Sequence, residues 1–360
     1  MDKYIDYYND SKKVTYHEQT DISNILKLRA VLKTLPDFCK DYFRAMDPLT
    51  TTKTRISYAY DIRIFFQFLL DENPAFKDYS MKDFTVDVLD QLKAIDIEEY
   101  QEYLKVYKNG DKTETNGERG LKRKISALRS FYAYYYKHEF IQTNPTVLVD
   151  VPKTHEKNII RLDADEVAML LDHIEHCGDE LTGQKRVYYE KTKERDLAIV
   201  TLLLGTGIRV SECVGLDVED VDFKNNGIKV TRKGGNEMVV YFGEEVEKAL
   251  RNYLETYRKA VTPLAGYENA LFLSTQRRRI GVQAVENMVK KYASQITNKR
   301  ITPHKLRSTY GTALYKETGD IYLVADVLGH KDVNTTKKHY AAIDDNRRRK
   351  AASAVKLREI

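Results

Sequence analysis

Leu121, Ile125, Leu128, Tyr132 and Tyr135 step along the chain by four, three, four and three residues. That rhythm follows the 3.6-residue period of an α-helix and puts all five side chains on one stripe. A half-buried strand would alternate every second residue, so 118–139 reads as a helix with a buried face. Lys122, Arg123, Lys124 and Arg129 fall between the stripe members and point elsewhere, as expected of a helix lying along a phosphate backbone. The same period recurs upstream. Ile22, Ile25, Leu26, Leu28, Leu32 and Leu35 predict a helix over 21–46, capped by Asp21 and broken or kinked at Pro36. Tyr58, Ile62, Phe65, Phe66 and Leu69 predict one over 51–72, and Ile97, Tyr100, Tyr103 and Leu104 one over 96–107. The first region is therefore expected to be all-helical.

Asn144-Pro145 and Val151-Pro152 punctuate a Thr- and Lys-rich stretch, which reads as a linker. Beyond it, Asp163 and Glu166 have capping-box spacing at a new helix start, and 194–206 is a Leu- and Ile-rich helix. Ile228-Lys229-Val230 and Met238-Val239-Val240-Tyr241 flank Lys233-Gly234-Gly235-Asn236 and predict a β-hairpin over 228–242. Helical patterns resume at 244–260, 283–296, 303–317, 320–328 and 334–342. The fold class is mainly α with a small β-sheet. The expected division is an N-terminal helical extension (1–46), a helical domain (47–140), the linker (141–158), a mixed α/β domain (159–345) and a basic tail (346–360).

At 360 residues and 42% hydrophobic, the chain has enough apolar material for a core in each domain, which excludes wholesale disorder. No run of apolar residues is long enough to span a bilayer, and no secretory signal is visible at the N-terminus. Cys39, Cys177 and Cys213 are scattered and odd in number, so neither a disulfide framework nor a cysteine zinc site organises the fold, and a reducing, cytoplasmic setting is expected. Charge is uneven. Residues 1–150 carry 23 basic against 24 acidic groups, while the whole chain has a net charge of +5. Residues 277–310 hold nine basic groups and one acid, Glu286. Such patches suit a polyanion such as DNA, although runs of charge also occur on ordinary solvated faces.

Several short stretches carry chemistry. In Gly205-Thr206-Gly207-Ile208-Arg209-Val210-Ser211-Glu212, glycines permit a tight turn, and Glu212 is spaced to hold Arg209 as a fork for phosphate oxygens. Taken alone, the pair also fits a surface ion pair. Thr302-Pro303 makes a helix start, with His304 and Arg307 spaced i,i+3 in its first turns, beside outward N–H groups that favour an anion. Gly329 reads as a helix C-cap that places His330 on a bend. Lys233 sits at or beside the hairpin tip, and Tyr340 follows Thr335-Thr336. His173 and His176 have no third ligand of suitable type, so no metal is assigned. Lys233-Gly234-Gly235 is not a Walker loop, and no acidic cluster suggests a two-metal nuclease.

In chain order, Arg209, Lys233, His304-x-x-Arg307, His330 and Tyr340 resemble the tyrosine recombinase (phage-integrase-type) family, Xer-like in layout. The resemblance is close over about 159–345, and looser over 50–140 with the family's helical core-binding domain. It implies a helical core-binding domain followed by a mixed α/β catalytic domain, closing together as a clamp on double-stranded DNA. It further implies cleavage and rejoining without metal, ATP or any cofactor. Tyr340 would be the nucleophile forming a 3′-phosphotyrosyl link, and Arg209 and Arg307 would clamp the nonbridging oxygens. His304 would donate to the phosphate or accept the Tyr340 proton, and Lys233 would protonate the leaving 5′ oxygen. His330 would bind the phosphate, and Glu212 would support Arg209. Lys122, Arg123, Lys124, Arg129 and Lys305 would contact phosphates. A tetramer on two duplexes, with or without a partner recombinase, and a tail docking on a neighbouring subunit are implied as well. Ser308 stands where many members carry a second histidine, which alters the hydrogen bonding around that helix. Two alternatives stand beside this reading: a catalytically silent DNA-binding protein on the same fold, and a related type IB topoisomerase or telomere resolvase that uses similar chemistry with a different outcome.

Overall fold

Thr15 starts the first helix in place of the expected Asp21. Its hydroxyl accepts from the Glu18 N–H at 3.3 Å, and the Glu18 carboxylate accepts from the Thr15 N–H at 2.8 Å. This reciprocal pair satisfies two backbone donors that a helix start otherwise leaves orphaned. Helix α1 (Tyr16–Leu32) stops before Pro36, and α2 (Cys39–Ala45) follows. The expected 21–46 helix is thus two helices, because proline cannot donate in a helix interior. In the computed structural model, residues 15–153, 155, 159–232, 235–330 and 332–333 are described. The chain divides into two units, Met1–Lys157 and Asn158–Ile360. Among the described residues, no helix is long and apolar enough to cross a membrane.

The first unit continues with α3 (Thr52–Glu72), α4 (Val88–Gln91) and α5 (Ala94–Tyr103), then strands β1 (Val106–Asn109) and β2 (Lys112–Thr115), and ends with α6 (Glu118–Lys137). The strands pair antiparallel, Val106 with Thr115 through Asn109 with Lys112. This hairpin corrects the all-helical reading. Only Tyr107 is buried in it, so no alternation of apolar residues announced it. Its one local cue is Asn109-Gly110 at the turn, where Gly110 has φ +61°. The α6 stripe is core as expected, with Ile125, Leu128, Tyr132 and Tyr135 at most 2% exposed. It meets an aromatic cluster in which Phe65 lies edge-on to Tyr100 at 5.1 Å and Phe131 to Tyr42 at 5.2 Å. Each such ring contributes about 1.5–3 kcal/mol of burial. Leu28, Leu35, Tyr42 and Phe43 share this core, so residues assigned to an N-terminal extension pack with the helices that follow.

The second unit opens with α7 (Ala164–His176), where the Asp163 N–H donates to Glu166 Oε2 at 2.8 Å in the expected capping box. Helix α8 (Gly183–Thr206) begins well before the predicted 194. Its first half is charged and so lacks the apolar period that marked the rest. Ile199, Leu202 and Leu203 are fully buried there, and α8 packs against α7 and three later helices. Next come α9 (Val210–Gly215) and a three-stranded antiparallel sheet of β3 (Val221–Asp222), β4 (Gly227–Thr231) and β5 (Glu237–Tyr241), in that order. The expected hairpin is β4–β5, in register from Gly227–Tyr241 to Thr231–Glu237. The helices α10 (Glu244–Tyr253), α11 (Val282–Ile296), α12 (Pro303–Thr318) and α13 (Ile321–Leu328) complete the described part. The predicted helix 334–342 lies outside the described residues.

Candidate active site

Gly207 ends α8 with φ +63°. A Cβ there would lie 2.3 Å from Tyr310 Cδ1, so the position needs glycine both for its backbone and for its contact with α12. The turn delivers Arg209 to the N-cap of α9. Glu212, 5% exposed, accepts from the Arg209 backbone N–H and from Arg209 Nη1, both at 2.7 Å. A buried carboxylate thereby fixes both ends of the arginine, which is the support role read from the spacing. Arg209 Nη2 also donates to the Gly329 carbonyl at 3.4 Å, and 36% of its side chain stays exposed.

Helix α12 starts at Thr302-Pro303. The Thr302 side chain makes no capping bond; its carbonyl instead accepts from the N–H groups of Lys305 and Leu306 at 2.7 and 3.1 Å. His304 is exposed, whereas Arg307 is 5% exposed. Arg307 Nη1 donates to the Gly207 carbonyl at 2.5 Å, and Nη2 donates to the Leu328 carbonyl. Ser308 Oγ donates back to the His304 carbonyl at 3.0 Å.

Helix α13 ends at Gly329, φ +62°, as read from the sequence. The Gly329 N–H donates to Asp326 O at 2.8 Å and the His330 N–H to Ala325 O at 2.9 Å, a Schellman closure that fixes the His330 backbone. The four carbonyls from Asp326 to Gly329 receive three arginines. Arg232 donates to Asp326 at 3.4 Å and to Val327 at 2.7 Å, Arg307 to Leu328, and Arg209 to Gly329. These carbonyls are the negative end of the helix dipole, which is where cations are stabilised.

Arg232 is the residue that sequence reasoning missed. Its only local signal is its place beside Lys233 at the end of β4. Burial above all, with repulsion from Arg209, pushes its guanidinium below the usual arginine range, while Glu212 and Asp326 pull the other way. Lys233 and Tyr340 lie outside the described residues.

The proposed phosphate contacts divide. Lys122 is exposed and Lys305 half-buried. Arg123 is 47% exposed and pairs with Asp61. Lys124 is a correction: its side chain is 7% exposed and its ammonium sits 3.5 Å from buried Asp61, out of reach of a ligand. Arg129 is another, because its guanidinium donates to the carbonyls of Thr146 and Val149 and ties down the segment after α6. Position between stripe members put both outside the apolar face, but Asp61 takes the Lys124 ammonium and the carbonyls of Thr146 and Val149 take the Arg129 guanidinium. His173 packs edge-on to Tyr292, and His176 Nδ1 lies 3.0 Å from the Asp172 carbonyl. A groove of about 1070 Å³ in the first unit is lined by Arg63, Tyr103 and Lys108, among others, and by none of the candidate residues.

The sequence profile of the Phage integrase family matches residues 160–347. The chain is 33% identical over 309 residues to tyrosine recombinase XerC of Caldanaerobacter subterraneus subsp. tengcongensis, covering 82% of this chain and 80% of that protein. It is 30% identical over 350 residues to tyrosine recombinase XerS of Lactococcus lactis subsp. cremoris, covering 91% and 97%. Among solved structures, its fold is similar to that of the Tn1549 transposon integrase in complex with transposon right end DNA. The TM-score there is 0.63 at 22% identity, over 88% of this chain and 99% of that one.

Proposed function

This chain belongs to the phage integrase family and is a tyrosine-type site-specific recombinase, and from that premise we propose that Tyr340 is its nucleophile, attacking a backbone phosphate of double-stranded DNA held by Arg209 and Arg307. The observation that best supports this reading is the meeting of these two guanidiniums at the carboxyl end of α13, beside His330. In-line attack on a phosphodiester concentrates charge on the nonbridging oxygens. Preorganised donors at that point are worth about 3–4 kcal/mol each at the upper end. Arg209 uses two of its five N–H donors on Glu212 and Gly329, so being anchored does not exhaust its fork.

The step balances without outside energy. The phenolic oxygen of Tyr340 bonds to phosphorus as the bond to the 5′ oxygen breaks. His304 takes the phenolic proton, and the Lys233 ammonium supplies the proton that leaves with the 5′ oxygen. His330 hydrogen-bonds the phosphate. A 5′ hydroxyl from the same or another duplex then reverses the step, so the phosphotyrosyl link conserves the bond. A phenol with a pKa of about 10 needs this cationic surrounding to ionise near neutrality. Lys122, Arg123 and Lys305 contact phosphates and make binding salt-dependent. The working assembly is a tetramer on two duplexes, with residues 346–360 docking on a neighbouring subunit.

The test is a suicide duplex nicked near the cleavage position. A covalent protein–DNA adduct that disappears in Tyr340→Phe supports the reading, and no adduct in the unaltered protein leaves a silent binder. Strand exchange between two duplexes distinguishes recombination from the supercoil relaxation that a type IB topoisomerase would give.

A further inference from the structure

We propose that Arg232, directly before Lys233 in the sequence, is a positioning residue for strand cleavage: it locks the β4–β5 hairpin onto the carboxyl end of α13. The inference rests on the reading of Lys233 as the proton donor to the 5′ oxygen. Arg232 is pinned on two sides. Its backbone N–H donates to Asn236 O at 2.8 Å and its carbonyl accepts from the Gly235 N–H at 3.0 Å, so the residue fastens the end of β4 to the start of β5. Its side chain donates to Val327 O at 2.7 Å and to Asp326 O at 3.4 Å. One residue therefore joins the base of the turn to the helix end that presents His330 and receives Arg209 and Arg307.

Its surroundings point to a structural clamp. Both Nη atoms are committed to carbonyls, and Nε is buried without a hydrogen-bond partner among the described residues. The guanidinium also crowds Gly329, where a Cβ would fall 1.6 Å from Nη1. Placing a cation there is costly, since burial and Arg209 both act against it. The negative end of the helix dipole offsets that cost and gives the contact its direction. Lysine cannot reproduce the contact, because one ammonium cannot span two carbonyls as a planar fork does.

The experiment compares single-turnover adduct formation on two suicide duplexes, one with the natural 5′ oxygen at the scissile phosphate and one with sulfur in its place. A thiol ionises near pH 8.5, so a sulfur leaving group departs without a proton donor (about the value of a free cysteine). Lys233→Ala is expected to lose roughly 10²–10⁴-fold on oxygen and recover on sulfur. Arg232→Ala and Arg232→Lys are expected to lose about tenfold or more on oxygen, up to but not beyond the loss in Lys233→Ala, and also to recover on sulfur. The double variant Arg232→Ala/Lys233→Ala should be no slower than Lys233→Ala alone. Arg232→Lys keeps the charge, and its melting curve and DNA affinity are measured alongside to separate positioning from folding. If Lys233→Ala recovers on sulfur while both Arg232 variants match the unaltered protein, or are slowed equally on both duplexes, this proposal is overturned alone. If Lys233→Ala is slowed equally on both duplexes, the proton-donor reading fails and takes this proposal with it.

Discussion

Arg307 Nη1 donates to the carbonyl oxygen of Gly207 at 2.5 Å, joining residues 100 positions apart in the chain. The bond ties the turn that carries Arg209 to the helix that carries His304. Arg307→Lys keeps the charge but cannot reach Gly207 and Leu328 together and still present a fork. Adduct formation in a single turnover should fall by about 10²–10³, the loss typical of one oxyanion donor, with DNA affinity little changed. An unaltered rate would show that Arg307 is only structural.

Gly207 and Gly110 make a controlled comparison. Their φ values are +63° and +61°, but a Cβ meets Tyr310 at the first and nothing within 4 Å at the second. Gly110→Ala should cost about 1–2 kcal/mol from the left-handed backbone alone. Gly207→Ala adds overpacking, for a further cost of about 1–3 kcal/mol. Thermal melts of the two variants check the difference, and equal losses would contradict the close contact with α12.

Asp61 is a buried acid serving two cations. Burial pushes its carboxyl up in spite of Arg123 and Lys124. Asp61→Asn leaves the Lys124 ammonium buried without a charged partner, which should cost about 3–5 kcal/mol. Adding Lys124→Met should restore most of that loss. Denaturant midpoints for the single and double variants decide the matter, and a double variant as unstable as the single would refute it.

Glu166 and Lys299 join α7 to the segment before α12 at 2.6 Å. Burial is the largest single influence on Glu166 and raises its pKa, but hydrogen bonds from Lys299, the Asp163 N–H and Thr297 together outweigh it and hold the carboxyl below its usual range. Lys299 is shifted upward, chiefly by its bond to Glu166. A depressed acid adds stability above its unfolded pKa of about 4.3 and loses it as pH falls through the folded value; a raised lysine adds stability below about 10.4 and loses it as pH rises further. Lys299 is 36% exposed, so screening limits the pair to about 0.2–1 kcal/mol. Glu166→Gln should therefore lower the denaturant midpoint at pH 7 and have little effect at pH 3. The same deficit at both pH values would argue against this linkage.

The sequence by itself determined the helices with strong apolar period, such as α3 and α6, the hairpin over 228–242, and the order of Arg209, His304, Arg307 and His330. These depend on neighbours a few residues away, and backbone geometry repeats over such distances. The glycine turns at 207 and 329 were legible for the same reason. Tertiary structure alone decided that Lys124 is buried on Asp61, that Arg129 holds backbone carbonyls, and that Arg232 joins Arg209 and Arg307 on the last carbonyls of α13. The exposed β1–β2 hairpin escaped notice because its strands bury too little to leave a pattern. Which carbonyl receives a guanidinium, and which segment covers a helix face, depends on chain brought together from far away, and no local period encodes that.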